Sequence, residues 1–153
     1  MKCTNGIAAT FTALGLGVML ACNTAPSAMR GFTTPAPVPL GQHEIVVPPA
    51  HYSYTRFEVP TSNQYWVAGH FEATGGSGND IEVLLMDADS FANFQNHHTY
   101  SAYYTSPKQT AGALNVGTLP AGTYYLVFNN SYSLFSNKVI ENTIRLHPPC
   151  QCS

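Results

Sequence analysis

Charge is scarce in this chain: Asp, Glu, Lys and Arg make up 9% of 153 residues, and six of them are cationic. No cluster of Lys and Arg occurs along it, which excludes nucleic-acid binding by neutralisation of phosphates. The low content of Lys and Glu also argues against a helical domain. Cysteine is scarce as well, with Cys3, Cys22, Cys150 and Cys152 far from forming a disulfide framework. A bridge between Cys150 and Cys152 closes a very small, strained ring, so 148–153 reads as a flexible Cys-containing tail. Long apolar runs are missing too. The longest, Ile7 to Ala21, is about fifteen residues, short of the roughly 20 that a spanning helix needs.

That run fits the core of a secretory signal, preceded by the positive Lys2. An ordinary signal peptidase requires small residues one and three positions before its cut, and Met19 with Ala21 does not provide that pair. Met19-Leu20-Ala21-Cys22 resembles the lipobox of bacterial lipoprotein signal peptides, with Met19 standing where Leu is usual. The resemblance implies removal of 1–21, acylation of Cys22 and attachment to a membrane of the bacterial cell envelope. Asn23 rather than Asp after the acylated Cys resembles lipoproteins forwarded to the outer membrane. Plain secretion is the alternative.

From 22 to 43 the chain is rich in Pro, Ala and Thr, with Pro26, Pro35, Pro37 and Pro39 preventing regular helix. It reads as a tether, whose seventeen residues from Asn23 to about Pro39 can extend on the order of 50 Å at ~3.1 Å per residue. The folded module is expected over 44–147, where period-two patterning and turn residues predict an all-β fold. In Tyr65–Ala73 the apolar Tyr65, Val67, Phe71 and Ala73 alternate with His70 and Glu72, and a Gly-rich turn follows before Ile81–Asp87. Phe91 and Phe94 predict a helical turn capped by Asp87 or Asp89 and packed across an end of the sandwich. Further strands are predicted at Glu44–Val47, Tyr52–Val59, Tyr100–Thr105, Gln109–Val116, Thr123–Asn129 and Lys138–Leu146. The total, about eight, predicts a single antiparallel β-sandwich. Tyr124, Leu126 and Phe128 oppose Tyr125 and Val127, so both faces of that strand should be covered.

The segment Asn79–Asp87, the pair Phe91 and Phe94, and Gly117–Asn130 with its Leu-Pro-Ala-Gly-Thr-Tyr-Tyr turn and strand resemble GOLD-like and pre-peptidase C-terminal β-sandwich modules of secreted proteins. The resemblance covers about Tyr52 to Leu146. It implies a jelly-roll-like binding or accessory module, and the motif holds no catalytic residue. Fold analogy does not fix function.

No catalytic signature is visible. Gly75-Gly76-Ser77-Gly78 lacks the Gly-x-Ser-x-Gly spacing of a nucleophile elbow and joins two strands. His43-Glu44 begins like a zinc-protease helix, yet Val47 stands where the second His is required. Asp80, Asp87 and Asp89 are candidate oxygen ligands for Ca²⁺ at loop ends, against turn and cap roles for the same residues. His97 and His98 read as loop residues. Trp66 lies on the polar face of its strand with His70, which makes the two a candidate ligand-binding pair. The expectation is therefore a non-enzymatic envelope lipoprotein without a required cofactor, whose module binds a protein or glycan. The alternatives are a carbohydrate- or Ca-dependent binding module, or an accessory domain of a secreted hydrolase system.

Overall fold

The computed structural model describes residues 35–60, 64–75 and 78–149. The leader, Cys22 and its expected acylation, most of the linker, Ser77, Cys150 and Cys152 lie outside the described residues. In chain order the elements are β1 (Val38–Pro39), β2 (Glu44–Val47), β3 (Tyr52–Val59), β4 (Trp66–Thr74), β5 (Glu82–Asp87), α1 (Ala88–Gln95), β6 (Tyr104–Thr105), β7 (Ala111–Val116), β8 (Gly122–Asn129), β9 (Lys138–Asn142) and β10 (Arg145–His147).

These segments form two antiparallel sheets. The first runs β1-β10-β4-β9-β2 with β7 on the other side of β4, and the second runs β3-β8-β5-β6. β9 and β10 follow each other along one side of β4, and β1 and β2 follow each other along β9 and β10. Each of these pairs is one interrupted pass of the chain. Numbered by pass, the sheets read 1-8-3-6 and 2-7-4-5, a jelly roll of two Greek keys. The fold is thus an all-β antiparallel sandwich.

Alternation decides what lies between the sheets. Val67, Phe71 and Ala73 of β4, Leu114 of β7 and Ile140 of β9 meet Leu126 and Phe128 of β8 in the main core. The opposite face of β8, with Tyr125 and Val127, is covered by α1. Phe91 stacks on Tyr125 with centroids 4.0 Å apart, and Phe94 meets Tyr52 edge-on at 5.1 Å. Asp87 is the N-cap, its carboxylate accepting the Ser90 N–H at 2.8 Å, and Asp89 sits in the first turn, where the helix dipole favours an acid. The helix therefore lies on the outer face of the second sheet rather than across an end of the sandwich.

The sandwich also starts before Glu44. Val38 and Pro39 pair with Leu146 and Arg145, Leu40 is 2% exposed, and the Leu40 N–H donates to the Ile144 carbonyl at 2.9 Å. Because Leu40 turns its N–H toward β10, Pro39 faces the sheet edge, where a missing N–H costs no ladder bond. At the other terminus Pro148 is buried, so the packed region runs one residue beyond His147.

Two interruptions shape the first sheet. Between β1 and β2, Gly41 takes a φ of +90°, and the register against β9–β10 shifts by one residue, a bulge. Between β9 and β10, the Thr143 hydroxyl accepts the His70 N–H at 3.1 Å, while the Thr143 N–H donates to the His70 carbonyl. Asn142, 6% exposed, holds both sites: its amide donates to the Leu40 and Gln42 carbonyls at 2.7 and 3.3 Å, and its oxygen accepts the Ile144 N–H at 3.0 Å. Opposite, Gly69 has φ +154° and a Cβ there would stand 2.4 Å from the Ile144 Cα.

Asn142→Ala should lower unfolding free energy by about 2–3 kcal/mol in denaturant titration, because it strands buried backbone groups. Gly69→Ala should be harsher, with loss of the cooperative transition at ordinary temperature, since backbone rather than a flexible side chain blocks the methyl.

Candidate functional site

With one sheet covered by α1, the outer face of the other stands open among the described residues. Trp66, Ala68, His70, Glu72 and Thr74 alternate along β4 on this face, opposite Val67, Phe71 and Ala73 of the core. β7 contributes the exposed Ala111, Ala113 and Asn115 beside them. The small side chains of β7 leave a groove of about 470 Å³ along His70, Glu72, Ala111, Ala113, Glu141 and Thr143. A second hollow of about 400 Å³ lies beyond Thr143, bordered by Pro39, Gly41, His43 and Arg145.

Across this face runs a row of three carboxylates. Glu72 of β4 pairs with Glu141 of β9, and Glu141 pairs with Glu44 of β2. All three are exposed. Among the described residues no cation forms an ion pair with any of them. The ion pairs seen among these residues are Arg56–Glu58 and Lys138–Asp80. Like charges directly opposite each other across strands are destabilising, so this arrangement weakens the sheet that carries it.

His70 lies in the groove. Trp66 shares its face but not its site, because four residues of strand separate the two by about 13 Å. The Trp66 ring instead stacks on His147, centroids 5.0 Å apart and planes within 10°. The structure therefore does not join Trp66 and His70 into one binding pair.

Nor does it join the three aspartates. Asp80 and Asp87 stand at opposite ends of β5, a strand length of about 20 Å, and among the described residues no three His, Cys, Asp or Glu converge as a metal site. Asp80 accepts from the Lys138 ammonium at 2.9 Å, and Lys138 is 1% exposed. That hydrogen bond holds the Asp80 carboxyl below its ordinary range against the opposing effect of burial. Tyr132 donates its hydroxyl to the Asp80 carbonyl at 2.9 Å, and the Lys108 ammonium lies 3.9 Å from the Tyr132 ring centroid. Burial pushes the Tyr132 hydroxyl up to about 12, so it stays a neutral donor. Asp87 and Asp89 border a separate hollow of about 260 Å³ near Tyr103 and Gly122. His97 and His98 are exposed beyond the C-cap of α1.

A second surface stands out by exposure. Leu134 and Phe135, in the loop from β8 to β9, are 73% and 90% exposed. Their loop is braced: the buried Asn130 amide donates to the Val47, Pro48 and Ser136 carbonyls, and the Ser133 carbonyl accepts the Ala50 N–H. This tip lies at the end of the sandwich opposite Val38 and His147, because β9 runs from Lys138 beside the tip and β10 ends at His147 against β4. Adjacent apolar residues between the predicted strands Thr123–Asn129 and Lys138–Leu146 were a sequence signal for it. The carboxylate row gave none, since it depends on the pairing of strands distant in sequence.

No protein-family model matches the chain, and comparison with curated proteins gives no significant match. Among the described residues no helix is long and apolar enough to cross a membrane.

Two measurements check these assignments. Glu141→Gln, at the centre of the row, should raise stability by about 0.2–1 kcal/mol at low salt, with the gain shrinking as salt screens the charges. Asp80 contributes stability above its unfolded-state pKa of about 3.9 and loses that contribution as pH falls through its lower folded value. The acid limb of the stability profile should accordingly be steeper for the native chain than for an Asp80→Asn/Lys138→Met variant, and equal limbs would remove Asp80 from the account.

Proposed function

We propose that the protein is a bacterial envelope lipoprotein, acylated at Cys22, whose sandwich is a non-catalytic module that binds a partner through the open face of the first sheet. The observation that carries this reading is the row Glu44, Glu141 and Glu72 beside an open groove. Three facing carboxylates cost the fold stability, and a cationic partner removes that cost on binding. A protein partner is favoured over a glycan for the same reason. The likeness of Gly117–Asn130 to GOLD-like and pre-peptidase C-terminal modules belongs to this proposal, as does placement at the outer membrane. Two acyl chains or more at Cys22 hold a module firmly where one gives marginal binding.

A photo-crosslinking residue at Ala113, on the rim of the groove, tests the reading in intact envelopes. A discrete crosslinked species is expected, and it should vanish on Glu72→Lys/Glu141→Lys while the melting temperature holds. Persistence of the same species after charge reversal overturns the assignment to this face. In the same cells Cys22→Ser should move the protein from the membrane to the soluble fraction.

A further inference from the structure

An open β-sheet has two edges whose backbone groups pair with any strand that reaches them unless something blocks the approach. Three of the four edges in this sandwich are blocked. The β1–β2 pass carries Pro39 and the bulge at Gly41; β3 carries Arg56 and Glu58, bonded to each other; β6 is two residues long. The fourth, β7, reads Ala-Gly-Ala-Leu-Asn-Val, six residues without charge or proline. Among the described residues it pairs with β4 alone.

Which of its backbone groups face outward follows from the ladder. His70 directs its N–H and C=O to Thr143, away from β7, so its partner Ala113 forms the non-hydrogen-bonded type of pair. The Ala113 carbonyl accordingly accepts from outside β4, taking the Tyr104 hydroxyl at 3.1 Å. One residue out of phase, Thr110 accepts the Ala73 N–H at 2.6 Å on the β4 side. Alternation then turns the N–H groups of Ala111, Ala113 and Asn115, and the carbonyls of Ala111 and Asn115, toward the open edge.

We infer that β7 is a docking edge for an extended peptide segment bearing Lys or Arg, which adds a strand to the first sheet and places its cation over Ala111 against Glu72 and Glu141. The side-chain geometry supports this occupant. Ala111 is the cross-strand partner of Glu72, and a residue on an added strand opposite Ala111 lies two interstrand spacings, about 10 Å, from the β4 backbone. Because Ala111 is small, the long stem of a Lys or Arg crosses it and meets the extended Glu72 side chain midway. Backbone pairing supplies affinity in such strand addition, and the alternate side-chain positions supply specificity. A second copy of β7 brings no cation to the groove, which favours a basic peptide over self-pairing. The inference rests on the open-face reading for the role of the carboxylates and adds the edge and the chemistry of the partner.

The test uses the full chain and two end-blocked octapeptides, one alternating Lys with Thr and one alternating Glu with Thr, followed by amide NMR. The Lys peptide should bind at least tenfold more tightly than the Glu peptide and should slow hydrogen exchange at Ala111, Ala113 and Asn115. Ala113→Pro removes an outward N–H at a position where an edge strand tolerates proline, and it should weaken the Lys peptide at least tenfold with melting temperature retained. Asn115→Pro repeats the experiment should Ala113→Pro fold poorly. Glu72→Gln/Glu141→Gln should weaken the Lys peptide severalfold without restoring the Glu peptide. Lys-peptide binding that is lost with Glu72→Gln/Glu141→Gln but indifferent to both proline variants overturns the edge and leaves the open-face reading standing. No binding of either peptide at millimolar concentration overturns the inference, and loss of the photo-crosslink on charge reversal then decides the open-face reading separately. A dimer abolished by Ala113→Pro and insensitive to both peptides overturns it in favour of self-pairing.

Discussion

The carboxamide of Asn142 is the interaction on which the first sheet depends. It bonds the carbonyls of Leu40 and Gln42 on one neighbour and the N–H of Ile144 on its own strand, so a single buried side chain satisfies the backbone at two interruptions. In a sheet whose backbone groups cannot go unpaired when buried, a bulge and a strand break placed side by side need such a polar group between them. Thr143 and Gly69 complete the arrangement, the first by offering its hydroxyl to His70, the second by having no Cβ. The result shapes the open face: Thr143 is the divide between its two hollows. Regular strands there would have produced a smoother pleated surface.

Charge is used in two opposed ways. Lys138 points into the sandwich and is matched by Asp80, with the backbone of Asp80 held in turn by Tyr132. Breaking a buried pair of this kind costs more than forming it gains, which makes it a constraint on the loops at that end. The row Glu44, Glu141 and Glu72 sits on the outside, and among the described residues no cation is ion-paired to it. Three of eight acidic residues in the chain are thus spent on a placement that weakens the sheet. Exposure limits that penalty, because water and salt screen the charges, and the row persists as a local negative field.

The period-two pattern carried most of the fold. β3 spans Tyr52–Val59 and β2 spans Glu44–Val47 as the alternation predicts, and Asp87 caps α1 because a short acid before an apolar-spaced turn has few other roles. β1 escaped because Pro35, Pro37 and Pro39 dominate the stretch around it; a proline facing an edge leaves the ladder intact, and composition cannot tell which way it faces. Lys138–Leu146 reads as one strand, and its break at Thr143 depends on His70 and Gly69, more than seventy residues away. The site was less legible for the same reason. His70 was reachable from its phase on β4, while its neighbours Glu141 and Ala113 arrive through pairings that no local pattern records. Trp66 was placed on the correct face, yet its ring is taken by His147, a contact set by β10.

The asymmetry of the two outer faces is what makes the open one significant. Both sheets have alternating strands, but the second presents Tyr52, Tyr125 and Val127 outward, an apolar surface that requires a cover, and α1 lays Phe91 and Phe94 on it. On the first, Trp66 is stacked on His147 and Val46 stands exposed beside Val139, but the centre of the face is Ala68, His70, Glu72 and Thr74 with the carboxylate row, which water solvates, and no helix lies there among the described residues. A solvated face alone implies nothing about binding. Here it adjoins β7, the edge that lacks the charge, proline or brevity protecting the other three. A sheet with three guarded edges and the fourth beside a row of carboxylates brings unpaired backbone and unpaired charge together in one place. An exposed face without an open edge offers only contact, and an open edge without the carboxylates accepts strands indiscriminately; in the docking proposed above, their adjacency would give a partner both register and sign.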